Sequence, residues 1–75
     1  MLDEYLKENS SSRYQIFKVA GIPQSTLSFY TKKPLKEYPV RILVAIGKTI
    51  DKPSWLVLKE LIDVEKVILI NQLIK

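Results

Sequence analysis

The sequence contains no cysteine and no histidine. Disulfide bonds and thiolate metal sites are therefore excluded, and a structural zinc site, which draws its ligands mainly from these two residue types, is not expected. A protein without disulfides suits a reducing compartment, so the sequence predicts a cytoplasmic location. Nothing in the sequence indicates a metal ion or any other cofactor.

Glycine is also scarce and occurs only at Gly21 and Gly47. A glycine-rich phosphate-binding loop is therefore absent, and the carboxylates are scattered along the chain rather than paired. We expect a protein that is not an enzyme. Because the sequence has no run of about 18 apolar residues and begins with acidic residues, it predicts neither a membrane span nor a signal peptide.

What the sequence does contain is an ample apolar fraction and an uneven distribution of charge. Its 75 residues allow one domain, residues 1–75, and 47% of them are hydrophobic, which is enough for a small core. The net charge is +4, and the whole positive excess lies in residues 13–48, which contain seven cations and a single acidic residue, Glu37. Such a stretch is typical of a polyanion-binding surface, although a solvated basic surface has the same composition.

Apolar residues recur every three or four positions, which predicts an all-α fold, a compact bundle of five to six short helices. A second helix is predicted over residues 13–20, capped by a preceding serine and followed by Gly21, which suits a left-handed backbone. Pro23 opens a third helix over residues 24–32. Further helices are predicted over residues 40–50 and from residue 54. The residues expected to face the core are Leu2, Tyr5, Leu6, Ile16, Val19, Ala20, Leu27, Tyr30, Ile42, Leu43, Ala45, Ile46, Ile50, Trp55, Leu58, Leu61 and Ile62.

Residues 64–75 fit two patterns. A helical spacing joins Leu61, Val64 and Ile68, whereas alternation and the many β-branched residues fit a short C-terminal strand. We favour the helix because no turn signal interrupts it. One helix face cannot hide so many apolar residues, so we expect a homodimer with residues 63–75 as its dimerisation segment. The alternative is a helix that folds back over the core.

Residues 12–33 have the features of a helix-turn-helix. Such a unit needs apolar contacts that hold its two helices together, a residue that tolerates a sharp turn, and short polar side chains where the second helix begins. Gly21 supplies the turn. The apolar contacts are expected from Ile16, Ala20, Ile22, Leu27 and Tyr30, and the polar side chains from Gln24, Ser25, Thr26 and Ser28.

Residues 12–30, SRYQIFKVAGIPQSTLSFY, resemble the lambda-repressor-like (Cro-type, XRE) helix-turn-helix family. Residues 40–61, VRILVAIGKTIDKPSWLVLKEL, are similar to the fourth and fifth helices of that family. In motif terms the resemblance covers roughly residues 2–62. Three positions depart from the family pattern. Phe17 stands where the family usually has alanine, Arg13 stands where it often has glutamine, and Tyr30 is bulkier than usual at its apolar position.

The resemblance implies a sequence-specific transcriptional regulator that binds double-stranded DNA at a palindromic operator. Repression by operator occupancy is implied because 75 residues leave no room for a ligand-sensing domain. The base-reading positions implied are Gln24, Ser25, Ser28 and Phe29. The positions implied to contact the DNA backbone are Arg13, Thr26, Lys32, Lys33 and Lys36.

Each of these roles has an alternative. Gln24 and Ser25 can serve as helix caps, Phe29 can belong to the core, and the three lysines can form a solvated loop. Arg13 can pair with Glu8 or Glu37 instead of a phosphate. At the level of function, the alternatives are a DNA-binding antitoxin whose C-terminal segment binds a toxin, and a protein-interaction module that keeps the fold without binding DNA.

Overall fold

The computed structural model describes residues 1–74 and confirms the all-α fold. Within this range the chain forms five α-helices, one 3₁₀ turn and no strand. Lys75, the last residue of the predicted dimerisation segment, lies outside the described residues. The elements are α1 (Leu2–Glu8), α2 (Arg13–Ala20), α3 (Gln24–Thr31), the 3₁₀ turn (Leu35–Glu37), α4 (Val40–Ile50) and α5 (Ser54–Ile74).

Local signals explain where the helices begin and end. The Ser12 hydroxyl accepts a hydrogen bond from the backbone N–H of Gln15 at 3.4 Å and caps α2. Gly21 ends α2 with φ +73°, and Asp51 ends α4 with φ +59°, so both helices close through a left-handed residue. Pro39 precedes α4, where its missing N–H costs no hydrogen bond. These boundaries confirm the predicted bounds of α2 and α4.

The core draws side chains from all five helices. α4 lies at its centre, since it packs against both α2 and α5. Leu35 and Tyr38, from the segment between α3 and α4, complete the core. The side chains with almost no exposure are Leu2, Tyr5, Leu6, Ile16, Leu27, Ile42, Ile46, Val57 and Leu61.

The predicted inward face of α5 is correct at Leu61, which is fully buried, and wrong at three other positions. Trp55 is 67% exposed, and Leu58 and Ile62 are also exposed, whereas Val57, which was not predicted, is fully buried. The helix is apolar on two faces, so the spacing of its apolar residues fits either face equally well, and packing against α4 selects the face of Val57. Val19 is likewise exposed rather than buried.

The C-terminal segment is helical to Ile74, so the strand alternative is wrong. α5 is a single helix of 21 residues, about 30 Å long, rather than a short one. Its first half covers the core through Val57 and Leu61, and its last turns extend beyond it with Leu73 86% exposed. Among the described residues, no helix combines the length and apolar character needed to cross a bilayer.

A polar contact fixes α5 against the N-terminal helix. The Tyr5 hydroxyl donates to Glu60 Oε1 at 2.7 Å, and Lys52 Nζ lies 2.8 Å from the same oxygen. The hydrogen bonds from Lys52 and then Tyr5 hold the pKa of Glu60 below its usual range. Burial, and next the bond to Glu60, raises the pKa of Tyr5. The Tyr5 hydroxyl therefore stays protonated and donates at physiological pH.

Candidate nucleic-acid interface

α2, the turn after it and α3 form one packed unit. Ile16 of α2 and Leu27 of α3 are completely buried. Ala20, Ile22 and Tyr30 are partly buried and pack against the same core. All five residues predicted to hold the two helices together therefore lie in the core or against it, and Gly21 makes the turn at positive φ as expected.

The outward face of α3 carries polar side chains. Gln24 and Ser25 are exposed at its first turn, and Thr26 and Ser28 are half-buried. Pro23 occupies the cap position of α3, and no side chain makes a cap hydrogen bond there. Gln24 and Ser25 are therefore not helix caps, and their hydrogen-bonding groups face solvent.

Phe29 lies on this outward face and is not part of the core. Its ring is 56% exposed, which excludes the core alternative. Tyr30 supports it from below, with edge-to-face geometry and 5.1 Å between ring centroids. Lys33 Nζ lies 5.0 Å from the Phe29 ring centroid, in cation–π geometry. The aromatic ring and the ammonium group thus form a joint surface at the C-terminal end of α3.

Three lysines follow the C-terminal end of α3. Lys32 and Lys36 are exposed, and Lys33 is half-buried against Phe29. None of the three forms a salt bridge within residues 1–74. Their positive charge is therefore available to an external anion.

Arg13 starts α2 and pairs with a carboxylate of α1. Its Nε lies 3.2 Å from Asp3 Oδ1, so both predicted protein partners, Glu8 and Glu37, are wrong. The Asp3 side chain is about half exposed, and surface pairs of this kind contribute little stability. A phosphate can therefore replace Asp3 at low cost.

Sequence reasoning assigned no role to an aromatic cluster on the surface of α2. The rings of Tyr14 and Phe17 stack with centroids 6.5 Å apart, and Lys18 Nζ lies 5.6 Å from the Tyr14 ring centroid. Phe17 points outward and is nearly half exposed, so its bulk does not enter the contact between α2 and α3. The signal in the sequence was their spacing of three and four positions, which places all three residues on one face of α2.

Two cations of α4 also had no predicted role. Arg41 and Lys48 are exposed and flank a groove between α2 and α4 whose apolar lining includes Val19, Ile22 and Val44. They add to the positive charge of residues 13–48 on the side of α2. Their separation of seven residues, which places them on one helix face, was the signal in the sequence.

Comparison of the chain with protein-family models, with curated proteins and with solved structures gives no match. The interpretation of this surface therefore depends on the chain's own residues.

Proposed function

We propose that the chain is a sequence-specific transcriptional regulator that binds double-stranded DNA and represses by occupying its operator. The observation that carries this proposal is the outward face of α3, with exposed Gln24, Ser25 and Phe29 beside lysines that have no acidic partner in residues 1–74. The major groove of B-DNA admits one α-helix, and its base edges present hydrogen-bonding groups and thymine methyls.

In this proposal the side chains of α3 have separate roles. Gln24 pairs with the N6 and N7 edge of adenine, and Ser25 and Ser28 meet other base edges. Phe29 contacts a thymine methyl, because its exposed ring is the one large apolar group on this face. The groups that hold the DNA backbone are Arg13, Thr26, Lys32, Lys33 and Lys36.

We also propose that the protein acts as a homodimer through the end of α5. Val67, Leu69, Ile70, Leu73 and Ile74 are each at least half exposed. Their exposed apolar surface equals that of about three whole side chains. Burying it would contribute a free energy on the order of 5–10 kcal/mol per copy. That gain is comparable to the cost of association. A two-fold dimer then reads two half-sites about 34 Å apart.

In-vitro selection of bound duplexes from a random pool tests the proposed function. We expect an enriched palindrome, with affinity for it that falls steeply as salt rises because several phosphates release counterions. Absence of any enriched sequence contradicts the proposal. A flat salt response favours the protein-interaction module instead.

The exposed end of α5 equally fits the second candidate, a DNA-binding antitoxin in which a toxin covers this surface. Light scattering of the isolated protein separates the two. A dimer at micromolar concentration supports the homodimer. A monomer at high micromolar concentration contradicts it and leaves the surface to a different protein.

A further inference from the structure

The 3₁₀ turn begins without a local cap. The start of any helix leaves backbone N–H groups without intrahelical partners. Pro34 precedes the turn, and no cap hydrogen bond is made by its side chain. Instead, the Leu35 N–H donates to Glu65 Oε2 at 2.8 Å, a carboxylate of α5 thirty residues further along the chain. α5 therefore supplies the cap that the turn lacks.

This contact lies directly beside a cation that we assign to the DNA backbone. Leu35 is anchored twice, by its buried side chain and by its N–H on Glu65. Lys36 follows Leu35 within the same turn and is exposed. The backbone that carries Lys36 is thus held in place from α5.

We propose that Glu65 is a positioning residue that orients Lys36 toward a DNA phosphate. This inference rests on the proposed function. The hydrogen bond orders the turn before DNA arrives, so less ordering cost falls on the binding step. The contact also joins the loop that holds the DNA backbone to α5, the helix on which the homodimer interface is placed.

A role through charge alone predicts the opposite effect. Glu65 is an anion next to the lysine-rich loop, and an anion near DNA repels phosphates. If only its charge mattered, replacing Glu65 by any neutral residue would tighten DNA binding. If Glu65 positions the turn, losing the acceptor oxygen weakens binding. The two roles therefore differ in the sign of the effect.

The test compares Glu65→Ala with Glu65→Gln on the duplex selected by the wild-type protein. Glu65→Ala removes the acceptor, and we expect binding about three- to tenfold weaker, which corresponds to the loss of one hydrogen bond. The salt dependence should also fall by about one phosphate contact. Glu65→Gln keeps an acceptor oxygen and should bind as tightly as the wild type or more tightly. The matched control is Glu37→Ala, which removes an exposed anion of the same turn and should not weaken binding.

A double-mutant cycle with Lys36→Ala shows whether the effect passes through that lysine. Lys36→Ala should weaken binding in the wild type but have little further effect in the Glu65→Ala background. If Lys36→Ala costs the same in both backgrounds, the inference is overturned. This cycle also separates positioning from an effect on self-association, which would leave the cost of Lys36→Ala unchanged.

Hydrogen exchange of the Leu35 amide reports the contact without DNA. It should be at least about tenfold faster in Glu65→Ala than in the wild type and Glu65→Gln. Unchanged exchange overturns the inference, as does a Glu65→Ala protein that binds the selected duplex as tightly as the wild type. If the wild-type protein selects no duplex at all, the proposed function itself has failed, and the inference fails with it.

Discussion

Two buried tyrosines differ in what their hydroxyl groups contact. The Tyr5 hydroxyl donates to Glu60 Oε1 at 2.7 Å, whereas the buried Tyr38 hydroxyl has no hydrogen-bond partner within the described residues. Burial, and next the charge of Glu65, raises the pKa of Tyr38 to about 12, so this hydroxyl stays neutral and unpaired. Replacement of each tyrosine by phenylalanine deletes one oxygen and keeps the ring. The pair of variants therefore isolates the value of one hydrogen bond.

Tyr5→Phe should destabilise the protein. A hydrogen bond to a charged acceptor contributes about 1.5–3 kcal/mol. The Glu60 side chain is 33% exposed and keeps Lys52 as a partner, so water and Lys52 compensate in part. We expect a loss of about 1–2 kcal/mol, or about 4–15 °C in Tm for a domain of this size.

Tyr38→Phe should leave stability unchanged or raise it by up to about 1 kcal/mol, because it removes a desolvated hydroxyl that makes no hydrogen bond. Urea denaturation followed by circular dichroism, at one protein concentration and with equal m-values, measures both changes. If Tyr38→Phe is as destabilising as Tyr5→Phe, the hydrogen-bond assignment is refuted. If Tyr5→Phe has no effect, the contact with Glu60 contributes nothing.

Three further predictions address the interface, the assembly and the packing. Gln24→Ala should change the base preference at one position of each half-site, whereas Lys32→Ala should weaken binding to all sequences alike; equal effects in a selection experiment would contradict the separate roles. Leu73→Asp should shift the protein toward monomer in sedimentation, while Val40→Asp, at another largely exposed apolar site on α4, should not. Gly47→Ala should destabilise by about 1–3 kcal/mol in thermal unfolding, because its Cβ would overlap a backbone carbonyl of the α4–α5 loop; an unchanged Tm would contradict that packing.

Local signals made part of the fold predictable. The bounds of α2 follow from Ser12 and Gly21, and the start of α4 follows from Pro39, because each signal acts on its immediate neighbours. The apolar spacing of α1 also identified its buried face correctly, including Tyr5. In each case the information needed lies within one or two helical turns of the residue.

The candidate site was only partly predictable from the sequence. Gln24 and Ser25 were expected on an outward face, and both are exposed. For Phe29, the sequence did not decide between a core and a surface position. Leu27 and Tyr30 already filled the inward positions of a short helix, but a large apolar ring is also a common core residue. The partner of Arg13 also depended on how the helices pack, and it is Asp3 rather than the predicted Glu8 or Glu37. Tertiary contacts decided both questions.

α5 shows why some contacts escape sequence reasoning altogether. Its apolar residues lie on more than one face, so their spacing does not distinguish the face of Val57 from the face of Trp55. Only one face fits against α4, and the other stays in water at a cost that self-association or another partner can recover. The same packing brings Glu65 to the Leu35 N–H, across thirty residues of sequence. α5 therefore divides its apolar residues between two environments, because the core takes the face of Val57 and leaves the other apolar side chains exposed.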